Sequence, residues 1–288
     1  HGGPEVMKWE DVEPGAPGSG QVRIRHEAIG LNFIDTYHRS GLYPLPLPSG
    51  IGLEGAGVVE AVGAGVSHVK PGDRVAYAGG PTGAYSEERV MPAEKLVKVP
   101  RGVSDDEAAA VMLKGLTVQM LIRRVYRVQK GETVLFHAAA GGVGLIACHW
   151  LNALGATVIG TVGSDAKAKI AKAHGCHHTI NYSKENFADR VREITKGRGV
   201  PVVFDSVGKD TFQGSLDCLQ PRGCFSKWPH RQHITIAKAS AVDHTKLYIS
   251  LQGVMLQAIV TYYHLRIRML LNIPGAARPF RVNNNIHA

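Results

Sequence analysis

Cysteine is scarce in this sequence and unpaired in pattern. The four present (Cys148, Cys176, Cys218 and Cys224) form no CxxC pair. That excludes a disulfide-framed scaffold and fits a reducing cytosol. Long apolar runs are missing too. Nothing approaches the roughly 18 uninterrupted apolar residues of a membrane-spanning helix. The most apolar region, residues 247–271, is broken by Gln252, Gln257, His264, Arg266 and Arg268. The opening residues HGGPE lack the apolar run of a secretory leader. The expectation is a cytoplasmic protein without a membrane partner. Acids are almost absent from the end of the chain. After Trp228 only Asp243 is acidic, so about six of the nine net positive charges lie there. The remainder is close to balanced, and nucleic acid is not an expected partner.

What is present is a glycine-rich turn between two apolar stretches. Residues 134–144 read VLFHAAAGGVG. Val134, Leu135 and Phe136 predict a buried strand, and residues 145–151 predict a helix. A strand, a tight turn and a helix N-terminus bring backbone N–H groups to a pyrophosphate, and glycine lets that phosphate come close. The cradle is expected at Ala140, Gly141, Gly142, Val143 and Gly144.

One such turn is weak by itself, but residues 156–208 repeat the strand-and-helix pattern. Strands are predicted at 156–162, 178–182 and 201–208, with helices at 165–174 and 187–196 closed by Gly175 and Gly197. Strands alternating with helices imply an α/β fold built on a doubly wound parallel Rossmann sheet. Residues 1–100 instead offer short strands with turn chemistry between them. These are expected around Val22 and Ile24, at 55–62, at 74–78, opening at 83–87 and ending at 95–100. Such a pattern suggests a partly closed β barrel. A helix from 105 to about 123 leads onward.

Six motifs in order carry a resemblance. They are NFIDTY at 32–37, SGLYP at 40–44, GLEGAG at 52–57, VKPGDRV at 69–75, LKGLT at 113–117 and HAAAGGVG at 137–144. Together they resemble the medium-chain dehydrogenase/reductase superfamily, and within it the NADPH:quinone oxidoreductases of zeta-crystallin type. The match runs over about residues 1–223. It implies a GroES-like β-rich catalytic domain at 1–108, a Rossmann NADPH-binding domain at 109–228 and an atypical basic segment at 229–288. It also implies a homodimer joined through the outer strand of the nucleotide domain.

The resemblance further implies site residues. Asn32, Tyr37, Tyr43 and Thr117 line the substrate cleft, with Asn32 and Thr117 also on the cofactor side. Ser164, Lys167 and Tyr182 contact the 2′-phosphate, which suits a hydroxyl, a lysine and a phenol. The strand end at residues 160–163 (GTVG) has no carboxylate for ribose hydroxyls, so NADPH is expected rather than NADH. Asp165 is an objection, read as a first-turn acid stabilised by the helix dipole. Lys167 has an alternative reading as a solvated helix lysine, and the two tyrosines as packing aromatics. Ser206 and Val207 follow the fourth strand, where a nicotinamide is expected. Asp205 beside them reads equally as a helix cap, and His137 as a satisfied core histidine.

Metal is not expected. Where zinc relatives carry a cysteine and a histidine ligand, this chain has Asn32 and Leu53. His174, Cys176, His177 and His178 are expected to diverge. Without zinc, a quinone or conjugated enone is the better hydride acceptor. Two other readings remain. One is a non-catalytic NADPH- or RNA-binding protein of crystallin type. The other is an enoyl-thioester reductase.

After Gly223 the resemblance stops and basicity jumps, a pattern that points to a change of reading frame. Residues 223–228 are still expected to form a fifth strand, broken by Pro229. Short β-like pieces come next at Ile234, Ile236 and 247–249, then a helix at 256–271. The expected consequences are an unpaired sheet edge, weaker order over 229–288, first cleavage by protease after Lys227 or beyond it, and weak turnover.

Overall fold

The computed structural model describes residues 1–228, 233–238 and 247–252. These fall into two compact units. The first holds residues 1–128 and 139–151, the second residues 129–138, 152–228 and the two later stretches.

The first unit is built on an antiparallel sheet of β1 (Gln21–Gly30), β2 (Glu54–Val62), β3 (Arg74–Ala78), β4 (Glu88–Pro92) and β5 (Val97–Lys98), in the order β4-β1-β2-β3-β5. In β1 the side chains alternate as expected of a half-buried strand. Val22 and Ile24 are fully buried in a core with Val59, Val75, Tyr77 and Met91. Arg23 and Arg25 face outward and pair with Glu60. The strand expected to open at 83–87 starts instead at Glu88. Ala84 and Tyr85 donate their N–H groups to Gly52 and Ile51, so this stretch turns before it extends.

Two helices complete the unit's site. α1 (Phe33–Ser40) was not expected from the sequence. α2 (Asp105–Gln119) was, and it continues as a π turn over Met120–Val125. Ser104 and Glu107 form a capping box at its start. Ala108 and Ala109 pack with Ala56 and Ala76 of the sheet. α2 thus shares the core of the β-rich unit although it lies across residue 108, and the division at that residue remains a proposal.

The second unit carries β6 (Thr133–Phe136), β7 (Thr157–Val162), β8 (His178–Asn181), β9 (Val200–Asp205) and β10 (Leu219–Lys227), all parallel where they pair. Between them in the chain run α3 (Gly142–Ala153), α4 (Asp165–Ala173), α5 (Phe187–Ile194) and α6 (Phe212–Asp217). Most of α3 groups with the first unit. The order β10-β9-β6-β7-β8 is doubly wound, and it reverses between β6 and β9. Ligands of such sheets lie at the carboxyl ends of the strands beside that reversal. Val134, Leu135 and Phe136 are fully buried, as a strand covered on both faces requires.

β10 ends at Lys227, as expected before Pro229. Its far edge is not unpaired. β11 (His233–Lys238) pairs antiparallel along Cys224 to Lys227, and β12 (Leu247–Gln252) pairs with β11. The expected β-like pieces are therefore strands, and they cover the edge because their backbone groups complete its ladder. The helix expected at 256–271 and most of the segment expected to be less ordered lie outside the described residues.

Candidate active site

The first unit gathers Asn32, Glu54 and Lys114 into one polar cluster. Asn32 caps α1, and its backbone N–H donates to Asp35 Oδ2 at 2.9 Å. Its side-chain Nδ2 donates to Glu54 Oε2 at 2.6 Å and to the Gly30 carbonyl at 3.3 Å. Both amide hydrogens are thus engaged, and the group left to offer is the acceptor Oδ1. Glu54 is fully buried. Its Oε1 accepts the Leu113 N–H at 2.7 Å, and Lys114 Nζ lies 3.2 Å from Oε2. A side chain at Gly30 would collide with this carboxylate, so glycine is required there.

Thr117 donates its hydroxyl to the Leu113 carbonyl at 2.8 Å. Like Asn32, it can only accept from a ligand. Tyr37 and Tyr43 stack at a tilt with centroids 5.2 Å apart, and Phe33 meets Tyr37 edge-on. These rings pack on one another, as the packing reading expects. Asp35 braces the region from below. It is 2% exposed, and its Oδ2 also accepts the Tyr85 hydroxyl at 2.9 Å. Burial first, and then this carboxylate, push the Tyr85 phenol above its ordinary pKa.

In the glycine-rich turn Gly141 and Gly142 are exposed, Ala140 and Val143 are half-buried, and Gly144 is buried. α3 opens at Gly142, and its leading N–H groups have no intrahelical acceptor. Ala138 just upstream sits in the left-handed region at φ 53°. A Cβ on Gly142 would lie 3.1 Å from Cδ and 3.2 Å from Cε of Lys114. The lysine stem therefore occupies the space over the first residue of α3.

The second unit brings Ser164, Lys167 and Tyr182 together. Ser164 caps α4 and accepts the Lys167 N–H at 3.3 Å, which leaves its hydroxyl hydrogen to donate. Lys167 is exposed and has no ion-pair partner among the described residues. Tyr182 is 54% exposed, and a Cβ on Gly163 would lie 2.6 Å from its hydroxyl. Asp165 is drawn aside. It accepts from Asn181 Nδ2 at 2.8 Å and pairs with Lys184, which holds its carboxyl below the usual range with help from Asn181. The objection it raised is met by this pairing as well as by the helix dipole.

Ser206 and Val207 lie in the loop after β9, half-buried and 47% exposed. Asp205 shapes that loop. Fully buried, it accepts the N–H groups of Val207 (2.7 Å) and Gly208 (2.9 Å) on Oδ1. On Oδ2 it accepts the hydroxyls of Thr211 (2.7 Å) and Ser215 (3.1 Å). Since Ser215 spends its hydrogen on Asp205, it must accept from His137 Nε2 at 3.0 Å. His137 Nδ1 then accepts from Thr161 at 2.9 Å. Burial holds the imidazole neutral, its pKa lowered to about 4. His137 is a satisfied core histidine.

Glu54 and Lys114 had entered the sequence reading only as letters of motifs. The available signal was a lone carboxylate in the apolar, small-residue stretch 52–59, which demands a partner when buried. Among the described residues no three His, Cys, Asp or Glu side chains converge as a metal site would need. His174 and His177 are engaged with backbone groups, and Cys176 is buried.

Comparison with known proteins places the chain in a family. A family model described as an alcohol dehydrogenase GroES-like domain matches residues 18–101, and one described as a zinc-binding dehydrogenase matches residues 142–257. A quinone oxidoreductase of Pseudomonas aeruginosa is 62% identical over 224 residues, covering 77% of this chain and 69% of the relative. A 2-haloacrylate reductase of a Burkholderia species is 54% identical, covering 80% and 71%. The solved structure of an Escherichia coli quinone oxidoreductase complexed with NADPH superposes with a TM-score of 0.78 at 50% identity, covering 84% of this chain and 73% of that one. The chain belongs to the quinone oxidoreductase family of the medium-chain dehydrogenase/reductase superfamily.

Proposed function

We propose that this chain reduces quinones, or related conjugated enones, with NADPH and without zinc. The observation that carries the reading is the grouping of Ser164, Lys167 and Tyr182 beside a strand end without a competing carboxylate, in a chain 62% identical to a quinone oxidoreductase. The residues fit the cofactor. Exposed glycines open α3 for a pyrophosphate, and a cation with two hydroxyls suits a dianionic 2′-phosphate.

Bound NADPH supplies the hydride. The chain's residues bind and orient. Asn32 and Thr117 present acceptors, which suit the hydroxyl and amide donors of the nicotinamide half rather than the oxygens of a quinone. Tyr37 and Tyr43 supply hydroxyl groups and aromatic faces, which suit a flat acceptor whose distal oxygen gains charge. The loop at Ser206 and Val207, pinned by Asp205, shapes the nicotinamide side. Zinc has no evident place, since Asn32 and Leu53 stand where its ligands would be and Glu54 is committed to Asn32, Leu113 and Lys114.

A homodimer is the family's expectation, and sedimentation of the purified chain tests it. The function is tested by quinone-dependent NADPH oxidation. Saturable turnover supports the enzyme. RNA retention that falls with salt, without turnover, would favour the binding protein instead.

A further inference from the structure

We propose that Lys114 is a cofactor-binding residue that delivers its ammonium to the pyrophosphate cradle, with Glu54 as the residue that positions it. The proposal rests on the NADPH reading above and adds a cation that the glycine-rich turn does not itself contain.

Three observations converge. The first is where the side chain runs. From α2 it crosses the first residue of α3, its Cδ and Cε within 3.2 Å of the point a Gly142 Cβ would occupy. The second is the sign of the charge. A helix N-terminus carries a partial positive charge, and a lysine there is of the wrong sign for the helix alone. The arrangement becomes favourable when an anion sits against both. Local rules broken in this way are expected at functional or strained positions.

The third observation is what Glu54 needs. Its carboxylate already accepts from the Leu113 N–H and the Asn32 amide. Lys114 neutralises its buried charge, yet a single ammonium hydrogen is enough for the contact at 3.2 Å. The other two ammonium hydrogens have no partner among the described residues, and the lysine side chain is 20% exposed. A cation between a fixed carboxylate and an incoming phosphate serves both. The same Glu54 oxygen orients the Asn32 amide, so one buried group sets the acceptor and the cation together.

The test is ligand affinity of the full-length chain, measured by titration without turnover. Lys114→Met keeps the stem over Gly142 and removes the charge. NADPH and 2′-phospho-ADP-ribose, which contain the pyrophosphate, should each bind about tenfold more weakly, the effect of one partly exposed charge-assisted bond. Adenosine 2′-phosphate, which lacks the pyrophosphate, should bind as before. Lys114→Arg should recover part of the loss. Unchanged affinity for 2′-phospho-ADP-ribose, with a fall in Tm alone, would make Lys114 only the counter-ion of Glu54 and overturn the inference. An equal loss for adenosine 2′-phosphate would overturn it as well. If the unaltered chain binds none of the three, the cofactor reading falls and takes this inference with it.

Discussion

The two units solve one problem in opposite ways. Each buries a carboxylate completely, Glu54 in the first and Asp205 in the second. Asp205 is held by four neutral donors and, among the described residues, no cation. Glu54 has two neutral donors and a lysine that is partly exposed. A carboxylate satisfied by backbone and hydroxyl groups freezes the loop that supplies them. A carboxylate satisfied partly by a long side chain holds a charge ready for something else. The first arrangement is scaffold for Ser206 and Val207; the second, in our reading, is part of the binding apparatus.

That contrast breaks most readily at Asp205. Asp205→Ala removes the acceptor of two buried donors, on Gly208 and Ser215, and of two less buried ones, on Val207 and Thr211, and we expect a loss of about 4 kcal/mol in stability. Glu54→Ala strands two and frees a lysine that can turn to water, so about 2 kcal/mol is expected. Urea melts of the two variants measure the difference, and an equal or reversed order would dissolve the comparison.

The next effect is a pH dependence at His137 of the second unit. His137 is neutral in the fold, its pKa lowered to about 4 by burial, and takes up a proton near pH 6.5 when unfolded. Between those values the unfolded state binds more protons, so stability is full above pH 6.5 and falls as the pH drops toward 4. The contribution is on the order of 3 kcal/mol. Melts of His137→Gln across this window should be flatter than those of the unaltered chain, and an unchanged slope would contradict the neutral assignment.

Smaller still is the coenzyme preference. Lys167→Ala should weaken NADPH by about 1.5–3 kcal/mol, the worth of a charge-assisted bond, and leave NADH nearly untouched. Equal losses for both coenzymes would remove Lys167 from the 2′-phosphate. The smallest effect expected is none: dialysis against a strong chelator should leave turnover intact, and zinc at one per chain in elemental analysis would reverse the reading of Asn32 and Leu53.

The parts legible from the sequence were those written in local pattern. The apolar run of β6, the glycines after it and the alternation of strand and helix through β9 each arise from neighbours in the chain. α1 was not legible because it is only eight residues, FIDTYHRS, mostly polar, and its few apolar side chains (Phe33, Ile34 and Tyr37) span barely two turns. It is fixed by Asn32 and Asp35 at its start and by Tyr85 from fifty positions away. The strand near residue 88 was displaced in the sequence reading because Tyr85 turns toward Asp35 instead of extending. Glu54 and Lys114 are sixty residues apart, and no spacing rule joins them. The paired edge of β10 was missed for a related reason. β11 and β12 were visible only as short β-like pieces, and their backbone pairing with β10 and with each other is not written in local pattern.

The most direct single measurement is the oxidation of NADPH and of NADH by the purified full-length chain with 1,4-benzoquinone as acceptor. Saturable, quinone-dependent turnover is expected, with kcat/KM for NADPH well above that for NADH. Equal rates with the two coenzymes would contradict the role given to Ser164, Lys167 and Tyr182. The absence of any quinone-dependent oxidation would contradict the proposed function itself.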